Sequence, residues 1–191
     1  MKRVLFAAAA VLLAGCGYNK IQTLDEQANA FKSQIEVQLQ RRADLVPNLV
    51  ATVRGYAQQE VTIFTAVADA RARLGGAVQS GNLQQMSQAN QGLTGALSRL
   101  LAISENYPQL KSNENFRALQ DQLEGTENRI STARGDYNNA VQAYNSYIRR
   151  FPQVLTAKVI GKGARDYFEL TNPAAAEVPK VDFSAPQTKA Q

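Results

Sequence analysis

The sequence predicts an all-α protein: an elongated antiparallel helical bundle of the up-and-down four-helix type, with a very long first helix and a disordered carboxyl-terminal tail. Three observations predict it. Apolar residues recur at spacings of three and four from Ile21, Leu24 and Ala28 through Val46, Leu49 and Val53 to Phe64, Val67 and Leu74, the mark of a helix with one buried stripe. Glycine, asparagine and proline clusters punctuate the chain at intervals that suit antiparallel helices. No segment alternates with the period of two that a half-buried strand requires.

The chain opens with Lys2 and Arg3, an apolar run over residues 4–14, and Leu13-Ala14-Gly15-Cys16. That run fits a signal-peptide core and is too short for a membrane-spanning helix, which needs about 20 apolar residues. Small residues before the chain's only cysteine form a lipobox. Residues 1–15 therefore read as a lipoprotein signal peptide and Cys16 as the lipid-carrying first residue of the mature chain. Ordinary cleavage leaving a free thiol, or an uncleaved anchor, are the competing readings. Gly17 stands where inner-membrane retention commonly places Asp, which favours an outer membrane if the cell has two. Residues 16–20 follow as a linker, residues 21–170 as the bundle and residues 171–191 as the tail.

Within the bundle, the stripe keeps phase past Pro47. A proline costs about 3 kcal/mol in a helix interior, so the spacing predicts one helix over residues 21–74, kinked at Pro47. Gly75-Gly76 and Ser80-Gly81-Asn82 supply its stop and a turn. A second helix carries Leu83, Met86, Leu93, Leu97, Leu100 and Leu101 and ends at Asn106-Tyr107-Pro108. Ser112 or Asn113 caps a third, with a stripe from Phe116 through Ile130, Tyr137, Val141, Tyr144 and Ile148 to Phe151. A short fourth helix covers residues 153–160, closed by Gly161-Lys162-Gly163. Prolines 173, 179 and 186 make the tail extended.

Removing the signal leaves 176 residues, with 19 bases against 16 acids in place of 21 against 16. That is one domain's length with mild positive charge, which together with an export signal disfavours nucleic acid. The absence of histidine and of a second cysteine removes His-based zinc sites, Ser-His-Asp and Cys-His nucleophiles and Cys₄ clusters. With no glycine-rich phosphate loop either, no cofactor or metal is expected. Carboxylates, lysines, serines and tyrosines remain for any catalysis.

Three blocks carry a family likeness: Tyr18-Asn19; Gln38 to Val50, with Arg41-Arg42-Ala43-Asp44-Leu45-Val46-Pro47-Asn48-Leu49-Val50 at its centre, continuing through Val53, Gly55, Tyr56 and Glu60; and Tyr107-Pro108 to Ser112, Thr126 to Ile130, Ala133-Arg134, Tyr137-Asn138, Tyr144-Asn145 and Phe151-Pro152. The chain resembles the LemA family of bacterial envelope proteins over nearly its whole mature length. The resemblance implies an elongated helical bundle held at a membrane by its amino terminus, with the body outside the cytoplasm and no established catalytic activity. Many relatives carry a transmembrane helix where this chain has a lipobox.

Several constellations invite a function. Arg41, Arg42 and Asp44 sit one turn before Pro47, either as a solvated face that satisfies carbonyls freed by the proline or as a partner site. Arg42 and Glu60, about 27 Å apart on one continuous helix, each require something on another helix. Glu127 and Arg134 lie in the stripe of the third helix, where charges are costly unless paired. They read as interhelical pairs that fix register, or as a polar groove for a ligand or partner. Tyr137 and Tyr144 face the core with Asn138 and Asn145 beside them. Arg149, Arg150, Lys158, Lys162 and Arg165 form the most basic stretch, a solvated helix end or a contact for anionic lipid. The leading expectation is a non-enzymatic envelope protein, anchored to the membrane at Cys16, that binds or scaffolds another envelope component. A hydrolase using carboxylates or a Ser/Lys pair, and a helix that interacts with the bilayer, stay open beside it.

Overall fold

A computed structural model describes residues 2–168 of the chain, with side chains from Gly17 onward. Its helices are α1 (Lys2–Arg54), α2 (Val61–Ser80), α3 (Leu83–Ile103), the short α4 (Pro108–Lys111), α5 (Glu114–Ile148) and α6 (Gln153–Val159), with a 3-10 turn at Ser104–Asn106. Among the described residues there is no strand. Side-chain Cys16 and the tail from residue 169 lie outside the described residues, as do the expectations placed on them.

The first helix does not run to residue 74. It ends at Arg54, and the chain reverses over residues 55–60. Arg71 of α2 reaches the Ala43 carbonyl of α1 (2.9 Å), a pairing that only an antiparallel return allows. Gly55 opens the turn, buried Ala57 pins it to the core, and Tyr56 Oη accepts from Asn113 Nδ2 (3.0 Å) at the start of α5. The apolar stripe hid the reversal because Ala57 and Phe64 are seven residues apart, two whole turns, so the phase survives the loop. Pro47 stays inside α1. The carbonyl it orphans, that of Ala43, is the one Arg71 takes up; neither Arg41 nor Arg42 does so.

Gly75 and Gly76 lie inside α2 and end nothing. The stop is Gly81, left-handed at φ 64°, whose N–H caps the Val78 carbonyl. Asn82 Oδ1 then accepts from Gln85 N–H and starts α3. Asn113 Oδ1 caps α5 through Phe116 N–H. The four long helices thus run up, down, up and down, as α1, α2, α3 and α5. The count of four holds, although the fourth member comes from dividing the first helix and α6 is a separate short piece.

α2 and α3 are shorter than their neighbours. Their connecting turn at Gly81 lies level with Lys32 of α1, whose ammonium would stand 3.3 Å from a Cβ added to Gly81. Below that level α1 and α5 continue as a pair. The core divides accordingly. One cluster runs from Ala28 and Ile35 through Leu49, Leu93 and Phe116 to Val141 in the four-helix body. A second joins Ile21, Leu24, Tyr144, Ile148 and Ala157 in a two-helix foot, where α6 replaces the missing helices. Phe151, expected at the end of the α5 stripe, is instead exposed, because α5 stops at Ile148.

Candidate functional site

Arg42 enters the body from α1 at 4% exposure. Its Nη1 donates to Asn90 Oδ1 of α3 (2.6 Å) and to Glu127 Oε2 of α5. One guanidinium thereby fixes three helices in register, and the geometric demands of such a group make the register specific. Burial lowers the Arg42 pKa and Glu127 works against that shift. Arg134 sits two turns further along α5 than Glu127. Its guanidinium lies over the Phe168 ring, 4.7 Å from the centroid, and among the described residues its Nε and Nη2 meet no hydrogen-bond acceptor. Burial lowers the Arg134 pKa, Glu127 raises it, and Arg42 lowers it further.

The other sequence-selected residues do not join this node. Arg41 and Asp44 are exposed, and Asp44 Oδ1 accepts from Gln40 one turn earlier (2.9 Å). Glu60 occupies the N-cap position of α2, where its carbonyl, not its carboxylate, accepts from Ile63 and Phe64. The 27 Å ruler between Arg42 and Glu60 therefore does not apply, since they are not on one helix.

What the sequence reading missed is a strap. After α6, Gly161 turns left-handed (φ 69°) and residues 162–168 run back along α5 without regular secondary structure. Asn145 holds Arg165 at both main-chain groups: Arg165 N–H donates to Oδ1 (2.8 Å) and Nδ2 donates to the Arg165 carbonyl (2.9 Å). Asn138 treats Phe168 identically, at 2.8 and 3.1 Å. Tyr144 Oη donates to the Gly163 carbonyl (3.1 Å) and Tyr137 Oη to that of Asp166 (2.9 Å). The spacings match. Two helical turns advance about 10.5 Å and three extended residues about 9.3 Å, so a repeated Tyr-Asn at seven residues reads strap residues three apart. That repeat was visible in the sequence; its target was not. Burial raises the pKa of both tyrosines, which keeps their donors protonated.

Asp25 of α1 clasps the strap from the other side, accepting from Lys162 Nζ and Arg165 Nε, each at 2.7 Å. Burial pushes its carboxyl up, and the bonds and charges of Lys162 and Arg165 outweigh that, leaving it below the usual carboxylate range. Between the strap and the α2–α3 turn lies an open groove of about 810 Å³, whose lining includes Asn29, Lys32, Asn82, Gln84, Arg149 and Arg165. Asp166 is the acid among its lining residues. Among the described residues, no three side chains of metal-ligating type converge. Such a surface can hold a polar or anionic segment by amides and cations.

The family model described as LemA family matches residues 31–183. The magnetosome proteins MamQ 1 and MamQ 2 of Paramagnetospirillum magneticum are each 33% identical over 175 residues, covering 80% of this chain and 64% of the relative. Magnetosome protein MamQ of Magnetospirillum gryphiswaldense is 32% identical over 174 residues, at 79% and 64%. The chain spans just under two thirds of the length of these curated relatives. The family match covers Arg42, Glu127, Arg134, both Tyr-Asn pairs and the strap, and the chain belongs to the LemA family.

Proposed function

We propose that this chain is a membrane-anchored, non-enzymatic envelope protein whose helical body binds or scaffolds another envelope component. The observation that carries the reading is the groove between strap and α2–α3 turn, polar, cationic and open. Long bundle helices present side chains along a face and seldom converge two titratable groups in a closed pocket, as catalysis requires. Membership of the LemA family, whose likeness implies an envelope protein held at a membrane, supports work at a membrane. The anchor in this reading is a lipid on Cys16, with the body on the periplasmic side and the outer membrane favoured where there are two.

Two measurements test it. Cys16→Ala should leave an unprocessed precursor without lipid label; mature-sized, labelled protein from that variant would remove the anchor. Photocrosslinkers placed in living cells at Asn82 and Gln84 should capture a defined envelope component that a crosslinker at Val61, in the opposite end of the body, does not. A purified chain that turned over an envelope substrate, and lost that activity through one carboxylate, would overturn the non-enzymatic reading.

A further inference from the structure

The exposed large apolar side chains are not evenly spread. Phe151 is 80% exposed, Leu155 55% and Val159 86%, and they recur every four residues, the spacing of one helix face. Leu155 and Val159 share one face of α6, and Phe151 stands in the turn before it, where the Arg150 carbonyl accepts from Val154 N–H (2.7 Å). The opposite face of α6 is spoken for: Ala157 and Ile160 pack with Ile21, Leu24, Tyr144 and Ile148. So the foot has an inner side sealed by its own core and an outer side that is apolar and uncovered.

The charge around this face has one sign. Between Asp136 and Asp166 the sequence has no acid and five bases. Lys162 and Arg165 turn inward to Asp25, whereas Arg149, Arg150 and Lys158 are exposed and, among the described residues, form no ion pair. Lys20 is exposed at the same end, lining a shallow groove with Arg150. Position completes the case. A Cβ added to Gly17 would stand 3.1 Å from Gln153 Cγ, so α6 lies against the residue that directly follows Cys16. An apolar helix face rimmed by lysine and arginine is the form that settles in the interface of an anionic bilayer.

We infer that α6 and the turn before it form a second, non-covalent membrane contact: Phe151, Leu155 and Val159 enter the interface of an anionic bilayer while Arg149, Arg150 and Lys158 meet its phosphate head groups. This rests on the anchored reading above and adds an orientation to it. A lipid on Cys16 holds one end of the chain at the surface and by itself does not set the tilt of the body. A second contact at the foot holds the α1–α5 axis away from the surface, with the Arg54 end about 55 Å from Gly17 at 1.5 Å per residue.

The chain has no tryptophan, so one introduced reporter is unambiguous. The full-length processed protein carrying Leu155→Trp is mixed with phosphatidylcholine vesicles, with and without phosphatidylglycerol, whose acyl chains are brominated near the head group. Its emission should shift to the blue and be quenched in the anionic vesicles, and a Val61→Trp protein should show neither change. Adding Arg149→Gln, Arg150→Gln and Lys158→Gln should abolish most of the quenching, since each cation near such a surface contributes about a five-fold gain in partition. Vesicle-bound protein whose Leu155→Trp reporter stays unquenched overturns the second contact and leaves the anchor standing. Protein that binds no vesicle overturns both. A blue shift without vesicles that grows with protein concentration overturns the inference in favour of a second copy of the chain as the occupant.

Discussion

The four-helix body and the two-helix foot solve one problem by different means. In the body, the apolar stripes of α1, α2, α3 and α5 meet in one core cluster, and Leu39, Leu49, Leu93 and Phe116 are fully covered. One polar node, Arg42 with Asn90 and Glu127, sets the register. In the foot, α2 and α3 are absent, and α6 with an extended strap must cover what remains. An extended segment brings main-chain groups that no helix satisfies, so α5 commits four side chains to strap backbone, Tyr144 and Asn145 in the foot and Tyr137 and Asn138 where the strap reaches the body core. The body is held by area and the foot by directed bonds. The foot should therefore open locally, and at lower free energy, than the body unfolds.

The largest effect is expected from the body. Leu93→Ala removes a fully buried α3 side chain from the body core and should cost about 3–4 kcal/mol, read as a global shift of the denaturant midpoint. Glu127→Gln comes next. It leaves Arg42 buried beside Arg134 without an anion, a change that costs about 3 kcal/mol at the low end of the buried-pair range, because the Glu127 side chain is itself 40% exposed and partly screened by water. Both should unfold body and foot together. A mutant that lost only strap protection would break the division drawn above.

In the foot, Asn145→Ala removes two hydrogen bonds to Arg165 and should cost about 2 kcal/mol at about 1 kcal/mol per bond. Amide exchange should rise in residues 162–168 while the α3 amides stay protected. The clasp adds a pH dependence. Because Asp25 is held below the usual carboxylate range, its contribution is fully present above the unfolded aspartate value of about 3.9 and is lost as pH falls through the lower folded value. Strap protection factors, corrected for the intrinsic pH dependence of amide exchange, should therefore fall in that acid window, and Asp25→Asn should flatten the profile. The smallest effect is at Pro47. Arg71→Ala should cost about 1–2 kcal/mol, since it strands the Ala43 carbonyl. In a Pro47→Ala background, where residue 47 supplies its own N–H, the same change should cost almost nothing.

Much of this was legible in the chain. The caps at Asn113 and Gly161, the turn at Gly81-Asn82 and the core positions from Ile21 to Ile148 follow from local chemistry and from the 3.6 period. The reversal at residues 55–60 was written less clearly: Gly55 and the polar Gln58-Gln59-Glu60 mark it, and an apolar stripe that kept phase across the loop masked it. Arg42 and Glu127 stood out because a charge in a stripe demands a partner, although which partner is a matter of packing. Arg134 stood out for the same reason, and among the described residues its guanidinium lies over an aromatic ring on the strap. Glu60 stood out on a helical ruler that the turn invalidates.

The sequence by itself determined the helical class, most of the caps and buried faces, and the absence of the residue types that common nucleophilic and zinc chemistry require. These are local properties, fixed by backbone propensity and by where apolar side chains recur. The tertiary structure decided which distant groups meet: that Arg42 binds Glu127, that Asp25 clasps Lys162 and Arg165, and that two Tyr-Asn pairs grip the main chain of the strap. It also decided which apolar residues stay uncovered, because Phe151, Leu155 and Val159 look like core until α5 ends at Ile148 and α6 turns its other face inward. A periodic pattern states that a face must be covered; only the folded chain shows what covers it.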